Sequence, residues 1–157
     1  MLHNTRVIWP HHSRLWKIRA PPKVKVFLWT LLQNKLLTRD TILRRGCNGT
    51  TGRVMCQDSV IRETTVHFFW NCTYTKEFWN RYITGINVGV TISGARSHIH
   101  LWKKQLRALE ATQIKTWEIA WSAGQRAIWR ERNNKTFNER SKPILTLTNE
   151  TVMDVRQ

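Results

Sequence analysis

One segment limits what this chain can fold into. From Cys56 to Trp79 it reads CQDSVIRETTVHFFWNCTYTKEFW, with His67 and Cys72 at H-x4-C spacing and Cys56 eleven residues before the histidine. Thiolate and imidazole donors grouped in this way suit a tetrahedral zinc ion, which can hold together a polar segment with too little apolar surface to fold alone. A closed structural site takes four protein ligands, and here three stand in place. A C-x2-C partner for Cys56 would occupy position 53, which is Arg53. On the residues alone a second reading stays open. The same cysteine and histidine fit the buried face of a short helical hairpin, because free cysteine is among the most buried residue types.

Charge separates this segment from what precedes it. Lys and Arg number 26 against 10 acidic residues, a formal net charge of +16. Residues 1–50 hold ten of the cations and a single acid, Asp40, whereas residues 51–82 are nearly neutral at +1. So lopsided a balance favours a polyanionic partner, nucleic acid before an anionic membrane surface. No stretch approaches the length of a membrane span, and the start MLHNTRVIWPHH lacks the apolar run of a secretion signal. Three cysteines without such a signal imply reduced thiols. The expected compartment is nucleus or cytoplasm, and the protein is not expected to be secreted.

Periodicity points to helices. After Pro21-Pro22, the apolar residues Val24, Phe27, Leu28, Leu31 and Leu32 mark one helical face over 23–36. The alternation Val24, Val26, Leu28 also allows a strand, but length favours helix. Thr38 is a natural N-cap for a helix over 39–45 that Gly46 would stop. Residues 46–62 read as a loop with at most a short β pairing. Helices are expected over 64–70 and 73–83, then a glycine-punctuated linker at 83–95, then a long helix over 114–134 striped by Trp117, Trp121, Gly124 and Ile128. A short helix after Pro143 has weaker support. His11, His12, His98 and His100 read as surface residues.

Taken together, LWKIRAPPKVKVFLWTLLQNKLLTRDTILRRG and ETTVHFFWNCTYTKEFW closely resemble the reverse transcriptase zinc-binding domain that follows the polymerase of plant non-LTR (LINE-type) retrotransposons. The resemblance spans about Arg14 to Tyr82. WRERNNKTF, Trp129 to Phe137, looks like the W-x-x-R-N-x-x-x-F helix that commonly follows. The family's pattern of C-x2-C and then H-x4-C maps its last three ligands onto Cys56, His67 and Cys72, with Arg53 at the position of the first. Cys47 lies outside that spacing. The resemblance implies a small, mostly helical zinc-binding module at 14–82; with the periodicity beyond it, the expected fold is mainly α, with an extension at 1–13, a linker at 83–95 and a C-terminal helical region at 96–157. Its cofactor would be zinc, held weakly or lost because one ligand is missing. With no polymerase ahead of the module, the expectation is a fragment of a decaying element.

Function follows from charge and from what is missing. Lys17, Arg19, Lys23, Lys25, Arg39, Arg44 and Arg45 form a basic cluster around the first two helices with only Asp40 among them. Of these, Lys23, Lys25, Arg39, Arg44 and Arg45 on the two helices after Pro22 are assigned to nucleic-acid phosphates, RNA or DNA alike. The tryptophans Trp16, Trp29, Trp70, Trp79, Trp117, Trp121 and Trp129 sit at helical spacing and are assigned to the core rather than to base stacking. Polymerase and ribonuclease H chemistry need clustered carboxylates for two metal ions, and Asp40, Asp58 and Asp154 are scattered. No Glu stands at H-E-x-x-H or H-x-E spacing from His67. The expected role is noncatalytic nucleic-acid binding. The alternative is a protein–protein interaction domain that docks on a reverse transcriptase or another partner through its tryptophan-rich helices.

Overall fold

A computed structural model describes residues 12–48, 55–56, 63–92 and 97–157. Among these residues the fold is mainly α, as expected, and has no strand. In chain order it comprises α1 (His12–Lys17), α2 (Pro22–Leu32), α3 (Arg39–Arg44), a π-helical turn (His67–Asn71), α4 (Thr73–Ile86), α5 (His98–Ala108), α6 (Ala111–Asn138) and α7 (Ile144–Arg156). Most of the loop expected at 46–62, Arg53 included, lies outside the described residues.

Local chemistry sets the ends of the first helices. Pro22 occupies the first turn of α2, where its missing N–H costs no hydrogen bond. The helix buries Val24, Leu28 and Leu31, so the helical reading of this segment holds over the strand reading. It stops four residues short of expectation because Asn34 takes a left-handed conformation at φ 56°, a natural role for asparagine. Thr38 caps α3 by accepting the N–H of Thr41 at 3.3 Å, and Gly46 ends the turn beyond it at φ 79°.

The core is aromatic. Trp70, Trp79, Trp102, Trp117 and Trp121 are fully buried. Trp70 stacks on Trp79 at 4.8 Å and Trp102 on Trp121 at 4.7 Å. The long α6 is the rod against which the rest assembles. Tyr82 of α4 donates its hydroxyl to the Ala120 carbonyl of α6 at 2.8 Å. One turn on, Gly124 leaves room for aromatic rings: a Cβ there would lie 2.6 Å from the Trp79 ring. α7 closes over α4, where Gly85 faces Val152.

Several expectations need correction. α1 and α5 were not anticipated, and the weakly signalled C-terminal helix is a full α7 of 13 residues. α4 continues to Ile86 before Asn87 turns left-handed, so the first residues of the expected linker are helical, and Val88 and Val90 beyond them are buried. Trp16 and Trp29 are 38% and 36% exposed and do not belong to the interior. His98, read as a surface residue, is 4% exposed. Its Nδ1 accepts the Trp70 indole N–H at 2.9 Å, and its ring meets Phe69 edge-on at 5.8 Å. α5 escaped a periodicity reading because two of its four buried positions, His98 and Gln105, are polar.

Two consequences can be measured. Gly124→Ala should lower the melting temperature: overpacking against a rigid ring costs about 1–3 kcal/mol and outweighs a gain of at most ~1 kcal/mol in helix propensity. An unchanged or higher melting temperature would contradict the close approach of Trp79. Burial lowers the His98 pKa from 6.5 to about 4. An unfolded chain therefore binds this proton before the folded one does. The stability that depends on neutral His98 is whole above pH 6.5 and drains away as pH falls towards 4. Between pH 7 and pH 5 the loss should be about 2 kcal/mol. Urea titrations at both pH values should show that loss, and it should shrink in His98→Gln.

Candidate metal centre

The site is built on an unusual turn. In an α-helix, residues five apart project ~100° × 5 around the axis and so point about 140° away from each other. H-x4-C spacing on a regular helix would therefore separate its two donors. Here the segment HFFWN winds as a π-helix. The Cys72 N–H donates to the His67 carbonyl at 2.8 Å, an i to i+5 closure that sets histidine and cysteine one above the other. Such turns are rare and cluster at functional positions.

Neighbouring side chains hold the turn. The Trp79 indole N–H donates to the Phe69 carbonyl at 2.8 Å. Thr64 Oγ1 accepts the His67 N–H at 3.2 Å. Phe68 and Phe69 pack edge to face at 4.8 Å, and both approach Trp129 of α6 at 6.3 Å. Ahead of the turn, Glu63 is 1% exposed and carries two links to distant parts of the chain. Its Oε1 accepts the Arg39 N–H at 3.1 Å and the Arg132 guanidinium at 2.6 Å. Arg132 also lies over the Trp129 ring at 5.2 Å. Two residues of W-x-x-R-N-x-x-x-F thus buttress the turn from α6. Glu63 and Arg132 were missed by sequence reasoning. The only hint was an isolated acid ahead of an apolar run, because a buried ion pair has no spacing rule.

The turn and the residues before it bring three donors together. Cys56 Sγ lies 3.4 Å from His67 Nε2, and with Cys72 Sγ the three donor atoms all fall within 4.8 Å of one another. Zinc bonds of ~2.3 Å to sulfur and ~2.05 Å to nitrogen in a tetrahedron put sulfur and nitrogen about 3.6 Å apart and two sulfurs about 3.8 Å apart. The donors therefore already stand close to the spacing that zinc requires. Soft thiolates with one imidazole select zinc over hard cations.

Electrostatics agree with a thiol that a metal would have to deprotonate. Burial pushes the Cys72 thiol pKa up, against the backbone N–H groups of Tyr74 and Thr75 that favour its anion. Cys72 is at once the C-cap of the turn and the N-cap of α4, so a thiolate there faces unsatisfied helix N–H groups. Among the described residues no fourth donor joins the three. Cys47 is exposed and lies outside the cluster.

The basic residues form a separate feature. Lys23 is exposed on the first turn of α2. Lys25 donates Nζ to the Trp16 carbonyl at 2.9 Å and so ties α1 to α2. Arg39 opens α3, and Arg44 and Arg45 lie at its C-terminal end, where cations complement the helix dipole. Arg44 pairs with Asp40 at 3.0 Å, which partly neutralises this cation.

A family model described as zinc-binding in reverse transcriptase matches residues 1–79. No curated protein and no solved structure matches the chain.

Metal affinity provides the test. Cobalt added to the purified chain should give the visible and thiolate-to-metal charge-transfer bands of a tetrahedral thiolate site. These bands should vanish in Cys72→Ser, and zinc should be retained more strongly in Arg53→Cys. One zinc per chain surviving chelation in the wild type, with no gain from Arg53→Cys, would mean that a fourth ligand already exists.

Proposed function

We propose that this chain, which belongs to the family of zinc-binding domains found in reverse transcriptases, is a noncatalytic module that grips the phosphate backbone of RNA or DNA. Cys56, His67 and Cys72 would hold the metal, which when bound supplies a structural clamp and no chemistry. The turn that begins at His67 and is capped by Cys72 fixes the aromatic wall behind α2, and α2 with α3 presents the cations. Lys23, Lys25, Arg39, Arg44 and Arg45 carry the binding in this reading. Phosphate contacts of this kind release counterions and read no sequence.

The observation that carries the reading is the charge of the first fifty residues: ten cations and one acid, the acid being the buried partner of Arg44. A solvated face needs no such excess. One observation favours the alternative, a protein-docking module. Trp16, Val26 and Trp29 are exposed on α1 and α2, and exposed aromatics of this kind are common at protein interfaces. No helix among the described residues is long and apolar enough to cross a membrane, and a membrane partner forms no part of the proposal.

Salt separates the two readings. Affinity for a mixed-sequence oligonucleotide should fall steeply and linearly in log salt, whereas an apolar dock would respond little. Lys23→Gln/Arg45→Gln changes two exposed side chains and leaves the Asp40–Arg44 pair intact. It should flatten the slope by about 0.7–0.9 for each phosphate no longer neutralised, to the same extent for every sequence tried. An unchanged slope and affinity would return these residues to a solvated face.

A further inference from the structure

The five cations assigned to phosphates lie on α2 and on α3 with its C-cap, and a further basic concavity lies elsewhere. α1 and the first turns of α6 enclose a groove of about 790 Å³, within the range of ligand-sized clefts, about 300–1,000 Å³. Its walls carry Arg14, Lys17 and Arg19 from one side and Lys115 from the other, with Ile114 among the apolar residues that line it. Lys17, Arg19 and Lys115 are exposed. Among the described residues that line the groove the one acid is Glu118, which pairs with Arg14. That pair joins α1 to α6 and offsets one unit of positive charge, so that these described lining residues carry a net +3.

We propose that this groove is a binding site for a single strand of nucleic acid, with phosphates held by Lys17, Arg19 and Lys115 and a sugar or base edge laid against Ile114. Three features point to this ligand. The cations come from two walls and face a shared concavity, so a flexible polyanion can be met from both sides. The apolar strip suits a ligand that alternates charged phosphate with less polar sugar and base, which a compact anion does not. A duplex presents its phosphates on a convex cylinder and would meet a recessed groove along one row only, whereas a single strand can enter. Glu118 then acts as a brake: it occupies Arg14, which would otherwise grip a fourth phosphate.

The inference rests on the nucleic-acid reading above and extends it past the family-matched residues, because Lys115 and Glu118 belong to the C-terminal half. Salt slopes for a fluorescently labelled twenty-nucleotide oligothymidylate, and for a duplex of equal length, test it on the 157-residue chain. Lys17→Gln/Arg19→Gln/Lys115→Gln should flatten the single-strand slope by about 2, near 0.7 for each phosphate no longer neutralised. Glu118→Gln should steepen it by about 0.7 and tighten binding, a gain that misfolding cannot mimic. Glu139→Gln, the same charge change at an exposed acid at the far end of α6, should leave it unchanged. Inorganic tripolyphosphate serves as the competing phosphate source. Wild-type binding with a normal slope that neither groove variant alters would overturn the groove and leave the general reading standing. Oligonucleotide binding untouched by the triple variant while tripolyphosphate binding is lost would make this a site for free polyphosphate and overturn the nucleic-acid assignment. Equal steepening by Glu139→Gln would reduce the Glu118 effect to net charge and overturn the brake. No salt-dependent binding to either oligonucleotide would overturn the groove and the parent reading together.

Discussion

The fold depends on one backbone hydrogen bond, from the N–H of Cys72 to the carbonyl of His67. Its i to i+5 reach brings together two donors that a regular helix would point apart, and it frees neighbouring carbonyls that must be satisfied elsewhere. Trp79 answers one of them by donating to Phe69. To do so its ring must lie against α6, and α6 admits it by carrying glycine at position 124. A rare local geometry, an indole and a glycine some fifty residues further on thus form one arrangement. Trp70 extends it to α5 through His98.

The buried ion pair plays a different part. Replacing such a pair with apolar residues is often neutral or stabilising, but removing one partner strands a charge and costs about 3–5 kcal/mol. Glu63 and Arg132 therefore discriminate between packings more than they stabilise this one. Only an approach of α6 that brings Arg132 to Glu63 avoids the penalty, and the same approach places Trp129 against Phe68 and Phe69. The pairing of buried charges thus belongs to the same register of α6 that builds the wall behind the three metal donors, together with the Tyr82–Ala120 and Trp79–Gly124 contacts.

Much of this was legible from residue patterns. α2, α3 and α4 follow from apolar spacing, the Thr38 cap and the proline pair, and Cys56, His67 and Cys72 follow from donor type and spacing. The geometry that makes H-x4-C workable was not legible, because π-helical winding has no composition signature and periodicity reads it as an ordinary helix. α5 was hidden by His98 and Gln105, polar residues on a buried face. Trp16 and Trp29 show the opposite failure: aromatic residues at helical spacing that the tertiary structure leaves at the surface. Patterns report which face of a helix is apolar. They do not report whether another element arrives to cover it.

The separation between Glu63 and Arg132, 69 residues along the chain, also bears on synthesis. Ribosomes extend a chain by about 5–20 residues per second, so roughly 3–14 s pass between the emergence of the acid and that of its counter-ion. Until α6 begins to emerge, Phe68, Phe69, Trp70 and Trp79 have nothing of it to rest on, and until Arg132 follows the carboxylate must stay hydrated. The metal-binding half is thus born incomplete and exposes an aromatic slab to its surroundings. Early capture of an ion by Cys56, His67 and Cys72 would hold the nascent turn in shape until its distant half arrives, making metal supply a determinant of yield as well as of final stability.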